Sequence, residues 1–470
     1  MIKKSILIVG SGPSSYAFLR GLNFNDQLEI TMIDNSNITF EDDNVCAFDS
    51  KFSGSRMPDE KKIKNNDILI SSEFGGFSNY WGGTFDNPSR KIVEKFNNYG
   101  IDILKYLDLI DNLIPTINYS SESISENRKN FKVENSLFKT NTLESLNQNG
   151  FKTFGSKIAL NDSAYQNSDN ESEKCKYCSS YKWACRTSTI WSSKEFFHNL
   201  INSDKLNYEK ETQLFSFKEK ENYVECIFIK DGQRIIKKFD KLILAAGPVS
   251  TSKIFLQSNI FKKIILNSSD LIQIPFIKIF RTQKKHHSFA DLFLYFEHQN
   301  TDISTYQQIY LFSKSVLLLS SNTIKLNNIL KIIPSFFMSI AGGTFVYLDS
   351  TISSKIAYYI HNKQVKTELI SSNSKMKKVF LKEIQIKLRK SGIFLLNFLR
   401  NDFLHGTSYH LGSQFPLDNK SSSISSDRLG RVAGLSNVHI IDSSILPKVN
   451  TGPVTKLIMA NSFRISDELF

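Results

Sequence analysis

The sequence predicts an α/β protein in which a parallel sheet is assembled from discontinuous segments and a second, α+β unit is built on a sheet of its own. Three observations predict it. The run Ile6-Leu7-Ile8-Val9 passes straight into Gly10-Ser11-Gly12-Pro13-Ser14-Ser15 and then into the helix-like Tyr16-Ala17-Phe18-Leu19-Arg20. Far downstream, Lys241-Leu242-Ile243-Leu244-Ala245-Ala246-Gly247 reads as a buried strand that ends at small residues. Between that strand and the tail, residues 261–402 carry long Ile, Leu, Phe and Tyr runs of strand character. A chain of 470 residues has the length for a large core and two domains.

The opening run is a strand, a tight turn and a helix start, the arrangement that holds a dinucleotide pyrophosphate. Gly10 permits the turn, and Gly12 leaves room for the backbone to approach the phosphates. The small Ser15 lets the helix pack closely on the strand, and the helix N-terminus, with Ser14 a candidate cofactor contact, faces the anion. A second apolar strand, Leu28 to Ile33, ends at Asp34, an acid placed to accept both ribose hydroxyls. These features predict a Rossmann-like domain.

Further along, Phe215-Ser216-Phe217, Tyr223 to Ile229 and Ile235-Ile236 alternate like the strands of a meander leading into the strand at 241. The nucleotide-binding domain is therefore expected from residues 1–119, 190–260 and 403–470. The polar, Asn-, Ser- and Glu-rich stretch from Ser120 to Lys174 marks 120–189 as an insertion or lid, and 261–402 is expected to form the substrate domain.

Composition narrows the function classes. Hydrophobic residues make up 40% and charged residues 22%, as in a folded globular protein. The net charge of +13 is spread along the chain. It favours an anionic substrate or surface. No zinc finger, helix-turn-helix or aromatic stacking motif accompanies it, so nucleic acid is not an expected partner. The first apolar run is four residues long and leads into the phosphate loop, which predicts no secretory leader and a cytoplasmic location. The apolar stretch 332–348 is interrupted by Pro334 and Gly342-Gly343 and reads as buried strand rather than membrane span.

Four separated motifs together resemble the glucose-methanol-choline family of flavin oxidoreductases. The phosphate loop is the first. The second is Gly75-Gly76-Phe77-Ser78-Asn79-Tyr80-Trp81-Gly82-Gly83, similar to the family's glycine-rich segment against the flavin. Backbone without side chains approaches a flat ring closely, and its N–H groups can face the pyrophosphate or the flavin edge. The third is Ala245-Ala246-Gly247-Pro248 after the strand at 241, and the fourth is Gly430-Arg431-Val432 with Asn437 to Pro447. The resemblance implies FAD as cofactor. It places Asp442 near the flavin pyrophosphate and the helix beginning at Pro453-Val454 near the flavin ring. It also implies hydride transfer from an alcohol or sugar hydroxyl carbon to flavin N5.

The catalytic pattern departs from the family's. Relatives carry a histidine three residues before a Gly-Thr pair and a second His or Asn before a Pro, bracketing the substrate carbinol. In Tyr409-His410-Leu411-Gly412-Ser413 that count lands on Tyr409, with His410 beside it. In Asn450-Thr451-Gly452-Pro453 it lands on Gly452. A neutral imidazole takes a proton at pH 7, whereas a phenol titrating near 10 is a poor base. His410 is thus the candidate base after a one-residue shift, or else packing. His405 and Tyr409 are further candidates, and Asn450 is a candidate for the missing polar contact. The departure leaves open a flavin-dependent sugar mutase, a reductase, and a non-catalytic flavin-binding protein.

Cys175, Cys178 and Cys185 resemble a ferredoxin-type run with its third cysteine replaced by Tyr181. Three readings stay open: an iron-sulfur cluster, zinc, or reduced cysteines packed on a lid. A cluster implies a dehydrogenase passing electrons to a quinone or protein acceptor. The substrate classes considered are small molecules, nucleotide sugars and lipid-linked sugars. Residues 375–400 mix eight Lys and Arg with apolar side chains, matching either a helix packed on the core or peripheral contact with the inner face of a membrane.

Overall fold

Five strands run parallel in the order Val438–Ile440, Lys241–Leu244, Lys4–Val9, Leu28–Ile33 and Asn207–Glu209. The computed structural model describes residues 3–22, 27–35, 70–71, 73–118, 140–155, 157–160, 190–280, 290–298, 301–311, 339–402, 409–418, 424–432 and 434–470. Ile6, Leu7 and Ile8 are consecutive and all buried, as expected of a parallel strand covered on both faces. The helix Pro13–Gly21 packs against the C-terminal helix Thr455–Leu469. Gly21 allows this, because a Cβ there would lie 2.8 Å from the carbonyl oxygen of Phe463. The predicted meander forms a three-stranded sheet of Thr212–Glu219, Val224–Lys230 and Gln233–Phe239 that feeds directly into the strand at 241.

The second large sheet is antiparallel. Its strands follow the order Ile393–Leu395, Leu271–Lys278, Ala341–Leu348, Ser304–Leu311, Leu292–Glu297 and Phe151–Gly155, and a seventh, Asn401–Asp402, also pairs with Leu271–Lys278. Period-two alternation gives the sheet two unlike faces. One face sets Ile274, Phe276, Leu294 and Val346 against Phe380, Ile384 and Leu388 of the helix Ser374–Lys390. The other carries Phe293, Tyr295, Tyr306, Tyr310 and Tyr347. The result is a mixed α/β architecture.

The chain crosses between the units more often than its composition suggests. The strand Phe151–Gly155 falls in the segment expected to be a lid, yet it pairs along its length with Leu292–Glu297. It was obscured because only Phe151 and Phe154 mark it among polar neighbours. Strands Lys263–Ser268 and Lys355–His361 lie within the stretch expected for the substrate domain. Nevertheless, they send Ile264, Leu266, Ile356 and Tyr358 into the core around the parallel sheet. Their sheet is closed by Leu411–Gly412, which pairs with residues 267–268 and so fixes the segment after Tyr409. Among the described residues, no helix is long and apolar enough to cross a membrane.

Candidate functional site

The glycine-rich loop of residues 10–15 lies at the C-terminal ends of the parallel strands, where strand order reverses around Lys4–Val9. Gly10 has φ +98°, and a Cβ on it would sit 2.6 Å from the carbonyl oxygen of Ala245, so only glycine fits. Its carbonyl accepts the Ser15 hydroxyl at 2.6 Å, which turns Ser15 into a strut of the loop. Gly12 caps the helix, and a Cβ there would meet nothing within 4 Å. That open space lies before the helix N-terminus, where an anion is best stabilised.

Asp34 follows the second strand and is buried. Burial raises its carboxyl to about 7, against hydrogen bonds from Ser11 and the backbone. The Ser11 hydroxyl donates to Asp34 and accepts the Gly75 N–H at 2.8 Å. One carboxylate oxygen is therefore engaged by the protein itself, so Asp34 does not present both oxygens unencumbered to a ribose. Ser11 was missed as a linking residue because its partners lie 23 and 64 positions away.

The glycine-rich segment folds as a single 3-10 turn, Gly76–Asn79, with Gly75 at φ +93° and Gly76 at φ +55°. Gly76 sits directly over Gly12, and a Cβ on it would lie 3.4 Å from the Gly12 Cα. Several side chains of the segment hold this turn. Ser78 donates to the Gly75 carbonyl at 2.5 Å, Asn79 to the Phe74 carbonyl at 2.9 Å, and Trp81 Nε1 to the Trp191 carbonyl at 2.9 Å. Ser193 adds a bond to the Ser11 carbonyl at 2.9 Å. The backbone glycines are left to form the surface at Gly12. Gly83, at φ +65°, packs on Ile158, and Gly82 follows Trp81 in the same half-buried stretch.

Asp442 ends the outer strand Val438–Ile440 but turns its carboxylate inward. It accepts the Thr251 hydroxyl at 2.6 Å and the Ser444 N–H at 2.9 Å, and it also bonds to the Gly247 backbone. Burial raises its pKa despite these bonds. Asp442 thereby ties the C-terminal strand to the start of the helix Pro248–Gln257. Ala246 is half-buried beside Gly247, and Gly247, at φ +77°, has nothing within 4 Å of a Cβ position. Gly12 and Gly247 thus leave two open places in front of helix N-termini on one sheet edge, with the Asp34 carboxylate beside the first. This donor set fits an elongated dinucleotide.

The candidate catalytic residues meet where the C-terminal turn touches the tyrosine-bearing face. Tyr295 Oη donates to Asn450 Oδ1 at 3.0 Å and accepts the Gly452 N–H at 3.2 Å. A Cβ at Gly452 would lie 2.8 Å from that same hydroxyl, so the glycine is there to let the phenol in. Asn450 Nδ2 reaches the Pro453 carbonyl at 3.2 Å, which holds the entry to the C-terminal helix beginning after Val454. His410 is buried, stacks on Tyr347 with ring centroids 4.6 Å apart, and bonds to the Thr451 backbone. Burial lowers its pKa to about 4, so the ring is neutral at pH 7. Tyr409 adopts φ +62°, is 37% exposed, and meets Phe77 of the glycine turn edge-on at 5.5 Å. The pairing of His410 with Thr451 brings the two expected motifs together. The tyrosine face was not foreseen, although Tyr295, Tyr306 and Tyr347 stand on strands visible as apolar runs.

His405 and the three cysteines Cys175, Cys178 and Cys185 lie outside the described residues. Among the described residues, no group of three or more His, Cys, Asp or Glu is placed to hold a metal ion. Cys226 is a free thiol buried in the meander.

No family model and no curated protein matches the sequence. Among solved structures, the crystal structure of pyridoxine 4-oxidase from Mesorbium loti matches with a TM-score of 0.65 at 11% identity. The match covers 99% of this chain and 99% of that chain. The two proteins share a fold over their whole lengths.

Proposed function

We propose that this protein is a flavin-dependent oxidoreductase of the glucose-methanol-choline type, holding FAD along the edge of the parallel sheet and oxidising a CH–OH group of a small-molecule substrate. The observation that carries the reading is the pair of open places at Gly12 and Gly247, flanked by the buried Asp34 carboxylate. The whole-length likeness to an oxidase named for a small alcohol, pyridoxine, supports it. In this reading the Gly12 and Gly76 backbone and the helix Pro13–Gly21 bind the pyrophosphate, and Asp34 binds a ribose hydroxyl. FAD, when bound, supplies the hydride acceptor.

The chain's own part in the chemistry is proton removal and positioning. A neutral imidazole has one N–H donor and one acceptor nitrogen. The bond from His410 to the Thr451 carbonyl uses the donor, and the remaining nitrogen is the base for the substrate hydroxyl proton. Asn450 and Tyr295 hold the 450–453 turn in register with that ring. Small alcohols, nucleotide sugars and lipid-linked sugars are the substrate classes to test.

The test compares the purified protein with Gly12→Leu. Gly12 has φ −76°, which any residue adopts, and a Cβ there meets no protein atom within 4 Å, so the variant should fold. Wild-type protein should carry FAD and bleach on anaerobic mixing with a substrate alcohol. Gly12→Leu should keep its circular dichroism and lose FAD. A colourless wild-type protein whose added FAD stays unbound in equilibrium dialysis would overturn the reading.

A further inference from the structure

The edge of the antiparallel sheet opposite Phe151–Gly155 is unusually apolar for a surface. Ile393–Leu395 forms it, with Phe394 directly across from Ile277 on the neighbouring strand. Ile279 follows, held beside the edge strand by a bond from its N–H to the Gly392 carbonyl at 3.1 Å, and its side chain is 77% exposed. The chain then makes the turn Asn397–Leu399, where Phe398 is 81% exposed and Leu399 stands out as well. Phe394 and Ile277 point away from the helix-covered face, whereas Phe398, Leu399 and Ile279 leave three large apolar side chains more than half exposed at this edge.

This edge continues onto a cationic surface. Asn397 Nδ2 donates to Gln385 Oε1 at 2.7 Å, binding the turn to the helix Ser374–Lys390. That helix buries Phe380, Ile384 and Leu388 against the sheet. Its outward stripe, at spacings of three and four, is Lys375, Val379, Lys382, Ile386 and Arg389, all exposed, with Lys378 and Lys390 exposed beside it. The helix has a single acid, Glu383, and it bonds to His298 Nδ1 at 2.8 Å. The outward stripe therefore presents cations and apolar side chains without a carboxylate.

We propose that this edge and helix face dock on an anionic lipid bilayer. Phe398, Leu399 and Ile279 enter the headgroup layer, and the lysines and Arg389 meet lipid phosphates. Charge decides between occupants. A second copy seated on the same face would bring two sets of five cations together, which the like-charge repulsion opposes. An anionic surface neutralises them all at once. The proposal does not depend on the flavin reading, since no residue of the patch contributes to the sites described above.

Flotation of the full-length protein with vesicles tests it. The protein should float with phosphatidylcholine–phosphatidylglycerol vesicles mixed at about 3:1 and stay behind with phosphatidylcholine alone. The pair Lys382→Glu with Arg389→Glu should weaken partitioning at least about tenfold. Phe398→Ser with Ile279→Ser should leave weaker binding that added salt abolishes. Lys205→Glu, on a distant exposed loop, should float as the wild type does. Unchanged circular dichroism and melting establish that the variants are folded, and either pair alone suffices if the other misfolds. Absence of flotation at low salt, or equal flotation of all variants, would overturn the proposal. A dimer in light scattering that Phe398→Ser with Ile279→Ser dissolves would overturn it in favour of a second copy.

Discussion

The turn around Gly10 and the crossing around Gly452 both depend on a glycine, yet for opposite reasons. At Gly10 the backbone itself is in the left-handed region and packed on Ala245, so local geometry dictates the residue. At Gly452 the constraint comes from a tyrosine hydroxyl 157 positions away that would strike a Cβ. The first region is specified by neighbours in sequence, the second by partners across the fold. A local rule of turn chemistry can be read from a motif. A distant contact cannot.

The sharpest way to break this comparison is at the phosphate loop. Gly10→Ala places a methyl group against a carbonyl oxygen in a backbone conformation that L-residues rarely adopt. The loss should exceed about 4 kcal/mol, a large share of the stability of a typical domain. Gly12→Ala, two residues on, should change the unfolding free energy of the apoprotein, read from urea denaturation, by less than about 0.5 kcal/mol. Comparable losses in the two variants would show that the loop is not organised as described.

How much could be read in advance follows the same division. The parallel strands 4–9, 28–33 and 241–244 were legible from their apolar residues, while their order in the sheet was not. The meander was legible from alternation. By contrast, Ser78, Asn79 and Trp81 sit in a motif that points to a cofactor, but their side chains brace the turn. Composition also hid Phe151–Gly155, whose strand character comes from the partner it meets at Leu292–Glu297. The tyrosine face arose from three strands brought into register, with Tyr295, Tyr306 and Tyr347 opposite one another in succession. No single segment contains it.

The crossing region is sharpened by separating Tyr409 from His410. The family spacing points to Tyr409, whereas the contact with Thr451 points to His410. His410→Ala should slow anaerobic flavin reduction by at least about 10²-fold, the low end for loss of a general base. Tyr409→Phe should stay within about threefold of wild type. Stopped-flow half-reactions distinguish them, and a normal rate in His410→Ala would return the base to Tyr409 or His405.

A smaller effect is expected from Tyr295→Phe. The substitution preserves the ring and removes one hydroxyl that both donates to Asn450 and accepts from Gly452. Leaving buried polar partners unmade costs about 1–3 kcal/mol. Thermal melting should fall accordingly while FAD affinity stays unchanged, because the phosphate loop is untouched. A matching loss of FAD affinity would mean that the two regions are not independent.

The smallest effect lies in the pH dependence, where the two regions should pull in opposite directions. His410 has a folded pKa lowered to about 4 from an ordinary value near 6.5. As pH falls below 6.5 the unfolded chain takes up the proton first, so this contribution to stability is full above 6.5 and lost as pH falls through 4. Asp34 is raised to about 7 by burial. As pH rises from near 4 to 7 the unfolded chain releases its proton first, so its contribution is full at low pH and lost over that rise. In the shared window the two slopes cancel, each being at most about 1.4 kcal/mol per pH unit. Asp34→Asn should therefore steepen the rise of apoprotein stability between pH 5 and pH 6, and His410→Gln should flatten or reverse it, each by about 1 kcal/mol. Urea denaturation of both variants at the two pH values measures this directly. Shifts of the same sign in both variants would show that one of these side chains is not buried in the folded chain as described.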